Sequence, residues 1–192
     1  LLVIQSNLQQ QLDKVLNLDT EVAGLGKKAA AQLLHAQQLA QTLTANRQKQ
    51  AAPLEKKTEK LLAQVGMPNA RIKITISPAD LNSTGGDAIE FLFDANRSNR
   101  FEPLRKVASG GELSRLMLCI KSLVAASVQL PTLIFDEIDT GISGEAARQV
   151  GIIMKDLGQS HQVIAITHQP QIAAKADAHF FVYKNEKDKK IN

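Results

Sequence analysis

Residues 132–144, TLIFDEIDTGISG, decide how the chain is read, because an apolar run there stops abruptly at two adjacent carboxylates. Leu133, Ile134 and Phe135 lack polar alternation, as expected of a strand buried in a parallel sheet. Asp136 and Glu137 follow at its C-terminal end. In open α/β sheets ligands bind at that edge, and carboxylates are costly to bury unless a cation or a reacting water engages them. The pair predicts a metal–nucleotide site. Asp136 would hold Mg2+, through water, since this ion takes oxygen ligands and keeps part of its hydration shell. Glu137 would polarise the attacking water as general base. On these residues alone a plain strand ending in a solvated Asp-Glu turn is equally open.

Two neighbouring stretches tip the balance. Upstream, Ser109-Gly110-Gly111-Glu112-Leu113 opens a helical pattern. The two residues without Cβ let backbone N–H groups and the helix dipole face an anion closely, and a phosphate is the natural guest. Ser109 and Glu112 also fit a capping box, which accounts for that pair but not for Gly110-Gly111, poor helix formers. Downstream, Ile166-Thr167-His168-Gln169-Pro170 ends a second apolar run. If the two strands are neighbours, His168 lies at the same sheet edge as Asp136 and Glu137 and can contact a terminal phosphate. Asp139 to Gly144 forms a tight loop into the next helix. Ser109, Asp136 and His168 could also suggest a hydrolase triad, but no G-x-S-x-G elbow surrounds the serine.

From Ser109 onward, helix and strand signals alternate. Helices are predicted over 110–127, 144–157 and 170–176, with strands over 131–136, 162–166 and 178–184, an α/β order with a parallel core. Residues 185–192 are charged and predicted to fray. Before this region, Ile72, Ile74 and Ile76 show period two, Gly85-Gly86 marks a turn, and Ile89, Phe91 and Phe93 form a second strand, giving an antiparallel pair. Residues 96–106 are predicted as a polar loop carrying Arg97, Arg100 and Arg105.

Residues 1–66 are rich in Gln, Ala, Leu and Lys. Alternating steps of three and four from Leu8 to Leu61 meet sixteen positions, of which eleven are apolar (Leu8, Leu12, Val15, Val22, Ala29, Leu33, Ala36, Ala40, Leu43, Leu54 and Leu61) and five are not (Asp19, Gly26, Arg47, Gln50 and Lys57), as in helices with an imperfect coiled-coil-like seam. Gly24 and Gly26 are the predicted break, and Pro53 should kink the second helix or start a third. An antiparallel helix pair packed on itself is the alternative. The predicted division is therefore a helical arm over 1–66 and an α/β lobe over 67–192.

Composition bounds the function classes. With 192 residues and 44% hydrophobic content the chain can build a core. Aromatics at 4% argue against a stacking platform for single-stranded nucleic acid. A net charge of +4 permits contact with nucleic acid without requiring it. The single cysteine, Cys119, excludes a disulfide framework within the chain and fits a core position and a reducing compartment. No apolar run approaches the roughly 20 residues that cross a bilayer, and a membrane partner is not expected. The start at Leu1 and the charged end suggest a fragment of a longer protein.

In their order and spacing, SGGEL, TLIFDE, DTGISG and ITHQP resemble the second half of an ABC-type ATPase head: signature motif, Walker B, D-loop and switch histidine. The fuller runs KVASGGELSR, FDEIDTGISG and THQPQIAAKADAHFFVYK are similar to a bacterial DNA repair family related to the SMC proteins. This resemblance implies the C-terminal lobe of an ABC/SMC-type P-loop ATPase head, preceded by the returning arm of a coiled coil. It implies ATP and Mg2+ as cofactors and a second head as partner in an ATP-dependent homodimer. Ser109, Gly110, Gly111 and Glu112 would reach the γ-phosphate held by the opposing head, with Asp139 by the dimer seam. Glu137 and His168 would serve catalysis and Asp136 the metal. Action on DNA during double-strand break repair, in the bacterial cytoplasm at the nucleoid, is implied as well.

One departure from the family pattern stands out. No G-x-x-x-x-G-K-[ST] occurs, since Gly24-Leu25-Gly26-Lys27-Lys28 lacks both spacing and hydroxyl. The phosphate-cradling loop is therefore expected from a missing N-terminal half, and the chain alone is expected neither to bind ATP tightly nor to hydrolyse it. A transporter ATPase subunit shares the same motifs but would carry a different helical subdomain before the signature. A non-hydrolysing DNA-binding scaffold is the remaining alternative, against which the intact Asp136, Glu137 and His168 speak. Lys27, Lys28, Arg47, Lys49, Lys56 and Lys57 could offer phosphates a basic face along the arm.

Overall fold

A computed structural model describes residues 2–107, 109–127 and 131–183. The helical pattern at the start becomes one helix, α1 (Leu2–Gln64), which includes Gly24, Gly26 and Pro53. The predicted break and restart are therefore absent, as is the helix pair packed on itself. Isolated glycines in a helix cost only about 1 kcal/mol each relative to Ala, and the Ala, Gln, Leu and Lys residues around them are strong helix formers. Proline at an interior position costs about 3 kcal/mol, but the turns after Pro53 are held by tertiary contacts. Thr58, Leu62 and Val65 are fully buried. Glu55 accepts a hydrogen bond from the Ile74 N–H at 2.7 Å and Glu59 one from the Ile72 N–H at 3.4 Å.

Gly66 ends the helix. With φ at +87° it occupies the left-handed region, and the Met67 N–H reaches back to the Leu62 carbonyl at 2.9 Å, the long bond of a Schellman cap. A Cβ at this position would lie 2.9 Å from Cγ2 of Ile142. Gly66→Ala combines the left-handed penalty with this overlap and is expected to destabilise the fold by about 2 kcal/mol. A urea unfolding curve with a lowered midpoint and unchanged slope checks this.

The described residues divide into two compact units, one drawn from Leu1–Gln50 and Ile76–Ile89, the other from Ala51–Thr75 and Glu90–Asn192. In the first, the tip of a β-hairpin is tied to α1. The hairpin is β1 (Arg71–Asn82) and β2 (Gly85–Asp94). The nearly buried Asp87 carboxylate accepts from Thr44 Oγ1 and pairs with Arg47 at 3.0 Å, and Arg47 also donates to the Thr84 carbonyl. The seam residues Leu8, Leu12, Val15, Val22 and Leu33 are exposed.

The second unit holds the apolar core, in which Leu62, Val65, Ile72, Phe93, Leu116, Cys119, Leu133, Phe135, Ile138, Val150 and Ile172 cluster. Burial pushes the Cys119 thiol up to about 12, so it stays protonated and unreactive at neutral pH, in keeping with a core role. The polar loop after β2 contains a short strand, β3 (Glu102–Pro103), pairing antiparallel with β2, and a 3-10 turn over Leu104–Lys106. Burial of Asp94 opposes its charge, yet the N–H groups of Ser98, Asn96 and Asn99 and the Ser98 hydroxyl hold its pKa below the ordinary value. That carboxylate accepts from the N–H of the left-handed Asn99 at 2.7 Å, and from those of Asn96 and Ser98 on either side of the left-handed Arg97.

The predicted alternation then follows: α2 (Gly110–Val124) with a 3-10 turn over Ala125–Ser127, β4 (Thr132–Phe135), α3 (Gly144–Gly158), β5 (Gln162–Ala165) and α4 (Pro170–Ala173). Strands β4 and β5 pair in parallel, so the α/β reading with a parallel pair holds. The last strand expected over 178–184 is not formed in its described part. Phe180, Phe181, Val182 and Tyr183 are exposed, and none of them pairs with a strand among the described residues. Apolar alternation creates a strand only where a ladder partner is within reach. Lys184 and the charged end over 185–192 lie outside the described residues.

Candidate functional site

The register of the parallel pair sets the site. Thr132 lies opposite Gln162 and Phe135 opposite Ala165, and the Ile166 N–H continues the ladder to the Phe135 carbonyl at 3.0 Å. Both strands therefore end side by side, which brings the 136–140 loop next to residues 166–169. The neighbour relation required for Asp136, Glu137 and His168 to share one edge is met. All three are exposed.

The chain turns sharply at this edge. Asp136 Oδ1 accepts from the Glu137 N–H at 2.9 Å, and Glu137 adopts φ +54°, a left-handed conformation that costs a non-glycine residue roughly 1–2 kcal/mol. The turn drives Ile138 into the core and puts Asp139 just beneath the surface, its side chain 4% exposed. Such backbone strain persists only where the surroundings hold it, and here they do. Ser114 donates to the Asp136 carbonyl at 2.9 Å, and the buried Arg115 donates to the carbonyls of Ile138 at 3.4 Å and Thr140 at 2.7 Å. Burial lowers the Arg115 pKa, partly offset by Glu112 and Cys119.

The first turn of α2 packs against the same loop. Ser109 is the N-cap, its Oγ accepting from the Glu112 N–H at 3.3 Å, so the serine half of the predicted capping box is formed. A Cβ at Gly110 would run into the Glu137 carboxylate. One at Gly111 would stand 3.0 Å from Cβ of Thr140, 3.1 Å from the Glu137 carbonyl and 3.2 Å from the Arg115 guanidinium. Close approach of helix and loop thus gives Gly111 a packing role that the sequence alone did not reveal, whereas Gly110 meets only the end of the exposed Glu137 side chain, which can swing away.

Asp139 organises the β5 side. Its Oδ2 accepts from Thr167 Oγ1 at 2.5 Å and from the His168 N–H at 2.8 Å, and lies 3.1 Å from His168 Nδ1. Burial works against its charge, but the Thr167 hydroxyl, the His168 amide and the His168 ring hold its pKa below the ordinary carboxylate value. The stability this ionised group contributes is present above the usual aspartate range and is lost as pH falls through its depressed pKa. Gln169 completes the corner, its side chain donating to the Ile142 carbonyl at 3.0 Å and its N–H to Thr167 Oγ1. Ser114, Arg115, Thr167 and Gln169 were not singled out for a role from sequence. The one usable signal was Arg115, a charge set among the apolar positions Leu116, Leu118 and Cys119 of one helix.

Among the described residues no group of three or more His, Cys, Asp or Glu side chains could hold a metal ion. Asp136 offers one exposed carboxylate. That fits Mg2+, which binds through one or two carboxylates and takes its other ligands from water and substrate phosphates. It does not fit an ion caged by this chain alone. No helix among the described residues is long and apolar enough to cross a membrane.

No family model matches the chain. Its sequence is 42% identical over 183 residues to the DNA repair protein RecN of Rickettsia prowazekii, covering 93% of this chain and 33% of that protein. RecN of Xylella fastidiosa is 35% identical, over 94% of this chain and 33% of its own length. RecN of Vibrio cholerae is 40% identical over 150 residues, or 77% of this chain and 27% of that protein. The chain thus spans about a third of the length of the first two of these relatives. Among solved structures, the Smc head domain with a coiled coil and joint from Pyrococcus yayanosii matches 68% of this chain and 24% of its own, with TM-score 0.49 and 21% identity. The Smc head from Pyrococcus furiosus bound to the C-terminal domain of ScpA matches 68% and 31%, with TM-score 0.47 and 19% identity.

Proposed function

We propose that this chain, similar in sequence to the RecN proteins over 93% of its length, is the part of a RecN-type ATPase head that contributes the signature segment, the carboxylate pair and the switch histidine. The whole head hydrolyses ATP in the service of DNA double-strand break repair. The observation that carries this reading is the in-register parallel pairing of β4 with β5, which sets Asp136, Glu137 and His168 along one sheet edge.

In this reading Glu137 is the general base toward the attacking water, held at the edge by the left-handed turn. Asp136 holds Mg2+, which when bound neutralises charge on the phosphates. His168, its side chain 77% exposed, faces the terminal phosphate. Ser109, Gly110, Gly111 and Glu112 meet the γ-phosphate of an opposing head across an ATP-dependent homodimer, with Asp139 near that seam. The exposed apolar residues of α1 suit a coiled-coil arm. DNA is the substrate of the assembled protein, in the bacterial cytoplasm.

The chain has no G-x-x-x-x-G-K-[ST], and its nearest approach, Gly24 to Lys28, lies inside α1. The phosphate cradle belongs to the N-terminal half of the head. Equilibrium dialysis of the chain with labelled ATP and Mg2+ is accordingly expected to show no saturable binding up to about 1 mM. A dissociation constant in the micromolar range would contradict the split-site reading.

A further inference from the structure

The His168 ring projects into solvent, yet its Nδ1 lies 3.1 Å from a carboxylate oxygen that is itself almost fully enclosed. That oxygen, Oδ2 of Asp139, accepts from two donors, the Thr167 hydroxyl and the His168 backbone N–H, and so faces the ring nitrogen. The carboxylate cannot follow the ring if the ring moves. Ile138 before it is fully buried, and Arg115 grips the carbonyls on either side of it, those of Ile138 and Thr140. Thr167 is fixed in turn, since its Oγ1 accepts from the Gln169 N–H at 3.0 Å. An exposed imidazole without such an anchor would sample several rotamers and both tautomers.

We propose that Asp139 and Thr167 are positioning residues that fix His168 in one rotamer and as the Nδ1–H tautomer, leaving Nε2 as the nitrogen that serves the open face of the site. Asp139, in this role, acts within its own head. A carboxylate behind a working histidine holds the tautomer in the same way in hydrolytic triads. Thr167 donates to Asp139, which keeps Oδ2 turned toward the ring. The inference about the ring stands on this geometry alone. Its consequence for turnover rests on the functional reading above.

Two-bond 1H–15N NMR of the 15N-labelled chain at pH 8 reports the tautomer of each histidine, and a His168→Gln spectrum identifies the signals of His168. The native chain is expected to show His168 predominantly as Nδ1–H. Asp139→Ala should move it toward the Nε2–H form that free histidine favours. A native spectrum dominated by Nε2–H overturns the proposal, whether or not the alanine variant folds, and so does an Asp139→Ala spectrum that matches the native one. In a head reassembled with its N-terminal half, Asp139→Ala is expected to lower kcat about 10- to 100-fold with little change in KM, as loss of other outer partners of working histidines does. Should the native head show no turnover while His168 is Nδ1–H, the functional reading fails and the positioning role stands.

Discussion

Glu137→Gln is expected to reduce ATP turnover of a head reassembled from this chain and a phosphate-loop segment by about 10²- to 10⁴-fold, the contribution typical of a general base. The substitution keeps size and hydrogen-bonding reach but removes the ability to accept a proton from water. Its structural cost should be small. The side chain is exposed, and the left-handed backbone at this position strains glutamine no more than glutamate. The contacts holding the turn come from main-chain carbonyls of the loop and the Asp136 carboxylate, and glutamine leaves these intact. The urea midpoint and ATP binding by the reassembled head are therefore expected to stay near native values while turnover collapses. Turnover within about threefold of native would remove Glu137 from the base role.

Arg115→Met should produce the largest loss of stability among the substitutions considered, about 3 kcal/mol. Methionine fills a similar volume in the core, so the effect comes from hydrogen bonding rather than from a cavity. The buried Ile138 carbonyl and the part-buried Thr140 carbonyl lose a donor, and an unpaired buried acceptor costs roughly 1–3 kcal/mol. Removing a buried charge returns part of this, since burial already disfavours the charged guanidinium and its Nε has no hydrogen-bond partner among the described residues. Because the same carbonyls flank Asp139, the loop carrying Glu137 and the anchor of His168 should loosen together. A urea midpoint unchanged from native, at unchanged slope, would show that the Arg115 bonds contribute nothing net.

Much of the α/β part was legible because its signals are local. The apolar run before Asp136 announced a strand, although only Leu133 and Phe135 are buried and Ile134 is exposed instead of enclosed on a second face; the Ser109-Gly110-Gly111 start marked a helix terminus, and the second run before His168 supplied the parallel neighbour. The arm was misread at Gly24, Gly26 and Pro53. Residue-level costs there are a few kcal/mol, outweighed by strong helix formers on one side and, beyond Pro53, by contacts of Glu55, Glu59, Leu62 and Val65 that no local pattern announces. The strand expected at Phe180 to Tyr183 failed for the opposite reason. Its propensity is strong, but a strand also needs a ladder partner. Asp139 illustrates what sequence could not reach. Its placement after the carboxylate pair was visible, whereas its enclosure under His168 depends on a left-handed turn at Glu137 and on Arg115, which lies 24 residues away in the chain.

The composite nature of the site is the central claim. The measurement that tests it most directly is the steady-state rate of Mg2+-dependent ATP hydrolysis as this chain is titrated into a fixed amount of the N-terminal segment of the same protein. Negligible rates are expected for either part alone, with a rise that levels off at equimolar mixing and none of that rise when the chain carries Glu137→Gln. Turnover by the chain alone, or no turnover from a stable equimolar complex, would contradict it.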